Sequence, residues 1–171
     1  RAQRRAPIAE MTKDPASLVR DEVRALKAYH VSPSEGLVKL DAMENPYRLP
    51  DPLAADMGAR LARLAINRYP DPNMPRLKQR LREAMGVPEG QEILLGNGSD
   101  EIIQIVSLAL ARPGALALAP EPSFVMYRMS AIAAGLGYAG VPLAPDFSLD
   151  EGSLLAAIAT RRPALVWIAY P

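Results

Sequence analysis

The sequence predicts an α/β protein, with a mostly parallel sheet and helices on both faces. Short apolar strands alternate with single helices from Glu92 to the end. Each strand is mostly apolar along its length, the pattern of a strand buried on both sides. The 17 prolines sit mostly where one apolar pattern gives way to the next, so they punctuate structure and do not mark a low-complexity segment.

The elements follow in order. Ser17 to Tyr29 reads as an amphipathic helix, with Leu18, Val23, Leu26 and Tyr29 near helical spacing. Val38-Lys39-Leu40 is a short extended piece. Asp41 to Asp51 is irregular, with Pro46 and Pro50 and no period. Leu53 to Ile66 is a helix with Leu53, Met57, Leu61 and Leu64 on one face. Pro75 to Met85 is another, with proline in its first turn and Gly86 just past its end. Glu92 to Leu95 reads as a strand, Ser99 to Ala111 as a helix, Ala115 to Ala119 as a strand and Phe124 to Ala133 as a helix. Leu136 to Val141 is the next strand. Asp150 to Thr160 is a helix capped by Asp150, and Ala164 to Ala169 is the last strand. Strand order is not legible from these patterns.

Composition narrows the function. The chain has 171 residues, 49% hydrophobic and 23% charged, enough for one domain with a real core. A net charge of +1 gives no general pull toward nucleic acid or membrane. Arg1, Arg4 and Arg5 make a small basic cluster that reads as a loose terminus. With no cysteine and one histidine, His30, disulfides, thiolate metal sites and a Ser-His-Asp triad are not expected. The first twenty residues contain no apolar signal core, and the longest apolar run, Ile102 to Ala111, is too short to span a bilayer. A cytoplasmic location is the default.

Three segments can carry chemistry. In Leu94-Leu95-Gly96-Asn97-Gly98-Ser99-Asp100-Glu101, a strand runs through a glycine-bearing turn into a helix. Glycine lets a backbone approach a ligand, and a helix N-terminus offers free N–H groups to a phosphate. The same pattern also describes a plain turn with Ser99 as cap and Asp100 and Glu101 in the first turn. A hairpin at Asn97-Gly98 fails because helical periodicity follows, and the Asn97-Gly98-Ser99 sequon means little without a secretory signal. In Pro120-Glu121-Pro122-Ser123-Phe124-Val125-Met126-Tyr127, an aromatic opens a helix just after a strand. It suits stacking on a planar cofactor and equally suits core packing under a helix. In Arg68-Tyr69-Pro70-Asp71-Pro72, two prolines keep Tyr69 out of any regular helix, where it is a ligand contact or simply surface.

Taken together and in order, these segments resemble the histidinol-phosphate aminotransferases, from about residue 37 to the end. Leu40 to Tyr47 is similar to the family's N-E-N-P-Y signature, and Arg68-Tyr69-Pro70-Asp71 with Leu77 and Leu81 to its R-Y-P-D stretch. Gly96 to Ile103 matches G-N-G-S/A-D-E-I-I, and Pro122 to Tyr127 matches P-T/S-F-x-M-Y. Val166 to Pro171 resembles the strand that leads into N-P-N-N-P-T-G. Met43 stands where the family usually has asparagine, and Arg48-Leu49-Pro50 replaces its common G-P-S/P.

The resemblance implies an aspartate-aminotransferase-like enzyme of fold type I, a cytoplasmic homodimer using pyridoxal 5′-phosphate in histidine biosynthesis. It implies amino transfer between histidinol phosphate and 2-oxoglutarate, giving imidazole-acetol phosphate and glutamate, with no metal. It assigns Gly98, Ser99 and Asp100 to the cofactor phosphate and Phe124 to the pyridine ring. Tyr69 would reach the phosphate held by the partner subunit, and Glu44, Asn45 and Tyr47 would line the substrate site. Residues 1–50 would form an N-terminal arm and small-domain segment, and 51–171 the first part of the large cofactor-binding domain. The Schiff-base lysine is expected beyond Pro171, because Lys13, Lys27, Lys39 and Lys78 all precede the phosphate turn. The chain therefore reads as the front part of a longer protein.

Two other readings stand beside this one. A sister enzyme of the same fold, an aromatic aminotransferase or a threonine-phosphate decarboxylase, would keep the phosphate turn and the stacking aromatic. A non-catalytic domain that binds a phosphate ligand or mediates association is the alternative of a different class.

Overall fold

A computed structural model of the protein describes residues 14–40 and 44–169. The basic cluster at Arg1, Arg4 and Arg5, the segment from Asp41 to Met43 and the Tyr170-Pro171 end lie outside the described residues.

The described chain divides into two compact units. One is Val31–Leu94; the other joins the described residues up to His30 with those from Leu95 onward. Residue 50, the boundary expected from the sequence, is the N-cap of a helix within the Val31–Leu94 unit. Arg20 donates through one guanidinium nitrogen to the carbonyls of Ile132 at 3.0 Å and Ala133 at 2.6 Å, which couples the early segment to a helix more than a hundred residues away.

In the unit containing the C-terminal half, six strand residues at the centre organise the rest. Strand β1 (Leu116–Glu121) pairs in parallel with β2 (Gly137–Pro142), from Leu116 opposite Gly137 to Glu121 opposite Pro142. On its other side β1 pairs in parallel with β3 (Leu165–Val166), so the order is β2-β1-β3. Ala117, Leu118 and Ala119 are fully buried, as a central strand with two covered faces requires. Ala117 packs with Ala131 of α5 (Val125–Ala134), while Leu118 packs with Leu154 of α6 (Glu151–Arg161). Successive residues of β1 thus face opposite helix layers, as the side-chain alternation of a strand demands. Helix α4 (Gly98–Leu110) packs against α5 and buries Ile103 and Ser107. The expected α/β class, parallel pairing and two-sided helix cover are all present.

Helix ends follow local chemistry. Asp150 caps α6 as expected, its side chain accepting from the Ser153 N–H at 2.9 Å. Gly135 ends α5 in the left-handed conformation that glycine adopts without a Cβ penalty.

Several expected elements change. The helix expected over Ser17–Tyr29 is a 3-10 turn (Pro15–Leu18) and one short helix, α1 (Asp21–Arg24). Val19 and Arg20 between them are extended, with ψ of 133° and 141°, and that break lets Arg20 reach α5. The last strand is shorter than expected because only Leu165 and Val166 lie opposite β1. Glu92 to Leu95 is not a strand: no ladder partner lies beside it among the described residues, and the Gln91 carbonyl just before it accepts from the Arg82 guanidinium.

The Val31–Leu94 unit is held by local bonds. It contains α2 (Asp51–Leu61) and α3 (Pro75–Met85). α2 stops before the expected Ile66 because its last turn tightens into i→i−3 bonds, Arg63 to Arg60 and Leu64 to Leu61. α3 has the expected limits, with proline in its first turn and Gly86 in the left-handed conformation after its last. Val38-Lys39-Leu40 is exposed and outside any sheet.

Candidate functional site

The first turn of α4 is built by two glycines with different tasks. Gly98 has φ +83°, a conformation that strains any residue with a Cβ, and a Cβ there would meet nothing within 4 Å. Gly96 has no such backbone need. A Cβ on it would stand 2.7 Å from Ile102 Cδ1, so its lack of a side chain lets the incoming chain cross the helix closely. Asn97 occupies the N-cap position, with no side-chain capping bond, and its N–H donates to the Glu101 carboxylate. Ser99 is therefore not the cap that the sequence allowed; it lies one residue inside the helix. The N–H groups of Gly98, Ser99 and Asp100 belong to the first turn, where no preceding helical carbonyl exists to receive them. All three residues are exposed. The arrangement can hold an anion with backbone donors, the helix dipole and one hydroxyl.

The second part of the site lies at the mouth of β1. Phe124 is the N-cap of α5 and remains 39% exposed, which sets it apart from a buried core aromatic. Its ring meets Tyr127 edge-on, with centroids 5.7 Å apart and planes at 89°. Tyr127 in turn stacks on Trp167, at 5.2 Å and 2°. Phe124 also lines a cleft of about 510 Å³ together with Glu121, Arg128 and Tyr138. The Glu121 side chain lies in the space that a Cβ on Gly140 would fill. Burial, and then the Glu121 charge, push the Tyr138 phenol well above its ordinary value; Arg128, whose guanidinium carbon lies 5.7 Å from the ring centroid, opposes that shift.

Helix α5 starts just after the C-terminal end of β1, the edge at which open parallel sheets hold ligands. The first turn of α4 belongs to the same compact unit, and α4 packs against α5.

The remaining expected residues lie in the Val31–Leu94 unit. The Glu44 carboxylate pairs with Lys39 at 2.6 Å. Asn45 Oδ1 accepts from the Tyr47 N–H at 3.0 Å, a local turn that holds the segment after Glu44. Tyr47 and Tyr69 are exposed, at 84% and 101%. Tyr69 precedes a turn in which Asp71 accepts from the Asn73 N–H at 2.9 Å.

Tyr127 and Trp167 fall inside two of the sequence motifs, where neither has an expected site role. The three-residue spacing of Phe124 and Tyr127 on a helix was an available signal. Nothing local could reveal that Trp167 stacks on Tyr127, because that depends on which strand β3 pairs with. Among the described residues no group of three or more acidic, histidine or cysteine side chains could hold a metal ion, and no helix is long and apolar enough to cross a membrane.

The family model described as aminotransferase class I and II matches residues 35–171. The chain is 60% identical over 154 residues to histidinol-phosphate aminotransferase 2 of Cupriavidus pinatubonensis, covering 90% of this chain and 42% of that protein. It is 57% identical over 157 residues to histidinol-phosphate aminotransferase 1 of Burkholderia lata, covering 92% and 44%. Among solved structures, the histidinol-phosphate aminotransferase of Clostridium acetobutylicum is similar with a TM-score of 0.56 and 25% identity, over 68% of this chain and 33% of that one. The chain spans less than half the length of the curated relatives it matches.

Proposed function

The chain belongs to the class I and II aminotransferase family, and on that premise we propose that it is part of a cytoplasmic, homodimeric, pyridoxal-phosphate-dependent histidinol-phosphate aminotransferase. The reaction is amino transfer between histidinol phosphate and 2-oxoglutarate, giving imidazole-acetol phosphate and glutamate. The observation that carries the reading is the first turn of α4, a glycine at φ +83° followed by open N–H groups, in a chain 60% identical to such an enzyme.

The residues present fit the cofactor. The Gly98 turn leaves room for a phosphate against backbone donors, and the partly exposed Phe124 ring at the mouth of β1 suits a planar heterocycle. When bound, pyridoxal phosphate supplies a carbonyl that exchanges with the substrate amine and a conjugated ring that accepts the electrons released at the substrate carbon. The chain's own residues position and screen it. The N–H groups of Gly98, Ser99 and Asp100 hold the phosphate, and the Ser99 hydroxyl adds a donor. The α4 dipole offsets the like charge of the Asp100 carboxylate. Phe124 covers one ring face and keeps water from it. Tyr69 donates its phenol O–H to the phosphate of the partner subunit's site. Glu44, Asn45 and Tyr47 line the substrate site, with Lys39 holding the Glu44 carboxylate in place. The lysine that carries the cofactor is none of Lys13, Lys27, Lys39 and Lys78.

The test uses the complete protein and measures glutamate formed from 2-oxoglutarate with L-histidinol phosphate, L-phenylalanine or threonine phosphate. The expected result is the highest kcat/KM with histidinol phosphate. Higher kcat/KM with phenylalanine, or carbon dioxide release from threonine phosphate, overturns the substrate assignment. Borohydride reduction followed by peptide mapping should mark a lysine other than these four.

A further inference from the structure

We propose that Tyr127 and Trp167 are positioning residues that set the plane of the Phe124 ring against the cofactor. The proposal rests on the reading of Phe124 as the ring that stacks on pyridoxal phosphate. Phe124 is poorly placed to hold its own orientation. It is the N-cap of α5, outside the regular hydrogen-bond ladder, with an extended backbone at φ −64° and ψ 119°. Helix ends fray, and a side chain on such an end is free to turn unless something packs against it. The Phe124 ring meets Tyr127 edge-on at 5.7 Å and 89°, one of the preferred aromatic geometries. The two residues are also joined through the backbone, since the Tyr127 N–H donates to the Phe124 carbonyl at 3.1 Å.

Tyr127 is itself referenced to the sheet. Its ring lies parallel to the Trp167 indole, with 2° between planes and 5.2 Å between centroids, an offset stack. Trp167 directly follows β3, and its N–H donates to the Leu118 carbonyl at 2.8 Å. Leu118 is fully buried in the central strand. The indole Nε1 is buried with no hydrogen-bond partner among the described residues, so ring packing and not a hydrogen bond orients the indole. The chain Leu118, Trp167, Tyr127, Phe124 therefore runs from the fully buried central strand to the ring at its mouth. Each ring removes a rotation from the next, and an aromatic held in one plane loses less freedom when a second ring stacks on it.

The experiment measures the Kd for pyridoxal phosphate and the circular dichroism of its visible band, in the complete protein. It compares Phe124→Ala, Tyr127→Leu, Trp167→Leu, the double variant Phe124→Ala with Tyr127→Leu, and the conservative Tyr127→Phe and Trp167→Phe. An aromatic pair is worth about 0.5–1.5 kcal/mol beyond area burial, which is about 2- to 12-fold in Kd. Tyr127→Leu and Trp167→Leu should each weaken the cofactor within that range and change its dichroism, whereas the conservative variants stay near wild type. The double variant should be no weaker than Phe124→Ala alone, because Tyr127 acts through Phe124. Additive losses overturn the proposal, as does unchanged affinity in Trp167→Leu while Phe124→Ala loosens the cofactor. If Tyr127→Leu fails to fold, the Trp167 pair still decides. If Phe124→Ala itself leaves affinity and dichroism unchanged, the cofactor role of Phe124 falls, and the positioning role falls with it.

Discussion

Gly96 lies directly beneath the side chain of Ile102: a Cβ on it would stand 2.7 Å from Cδ1 and 2.9 Å from Cγ1. Two positions later, Gly98 has open space around it and a left-handed backbone. The two glycines of one turn are thus required for different reasons, and substitution should separate them. Gly98→Ala should cost about 1–2 kcal/mol from backbone strain, and Gly98→Asn less, because asparagine tolerates that conformation better. Gly96→Ala should cost about 1 kcal/mol, the low end for added volume since Ile102 is only half-buried, and Gly96→Asn should cost more. Denaturant midpoints of the four variants check this, and a milder effect of asparagine than alanine at both positions contradicts it.

Ser99 supplies one donor among several in the proposed phosphate site. A hydrogen bond to a charged group is worth about 1.5–3 kcal/mol, but the backbone N–H groups survive in Ser99→Ala. Cofactor Kd should rise about tenfold there. Ser99→Asp sets a negative charge beside the phosphate and should weaken binding by about 100-fold or more, given the strength of like charges at contact distance. Equal Kd values for the two variants exclude a phosphate at this turn.

Tyr69, exposed on a loop stiffened by Pro70 and Pro72, is proposed to serve the partner subunit's site. Mixing a Tyr69→Ala subunit with one lacking the cofactor-bearing lysine distinguishes the arrangements. If Tyr69 acts across the interface, a hybrid dimer collects both lesions in one site and leaves the other intact. About a quarter of wild-type activity should then return from two inactive parents. Persistent inactivity of the hybrids assigns Tyr69 to its own subunit.

The Tyr138 phenol is pushed above its ordinary value of 10, first by burial and then by the Glu121 charge. The folded state holds its proton more tightly than the unfolded state does. Its contribution to stability is present below pH 10 and is lost as pH rises above that value. Tyr138→Phe should flatten the alkaline decline in stability, and absorbance titration of that variant should lose an ionisation that lies above pH 10 in the wild type. An alkaline unfolding profile unchanged by Tyr138→Phe counts against this coupling.

The sequence by itself determined the element types that rest on local chemistry. Pro75 and Gly86 bound α3, Asp150 caps α6, and the apolar runs around Ala117 and Val141 are strands, because capping, backbone conformation and side-chain period act over a few residues. Gly96 to Glu101 and Phe124 were legible as candidate ligand contacts for the same reason, since a glycine turn before a helix carries its chemistry locally. Only the tertiary structure decided the rest. The expected first helix is broken at Val19 and Arg20, where the Arg20 guanidinium meets two carbonyls at the end of α5, a contact with no trace in local periodicity. Glu92 to Leu95 has strand-like residues but no partner strand, and a ladder is a property of two segments. Trp167 reaches Tyr127 only because β3 pairs with β1 and not with β2, and strand order is set by packing of the whole sheet.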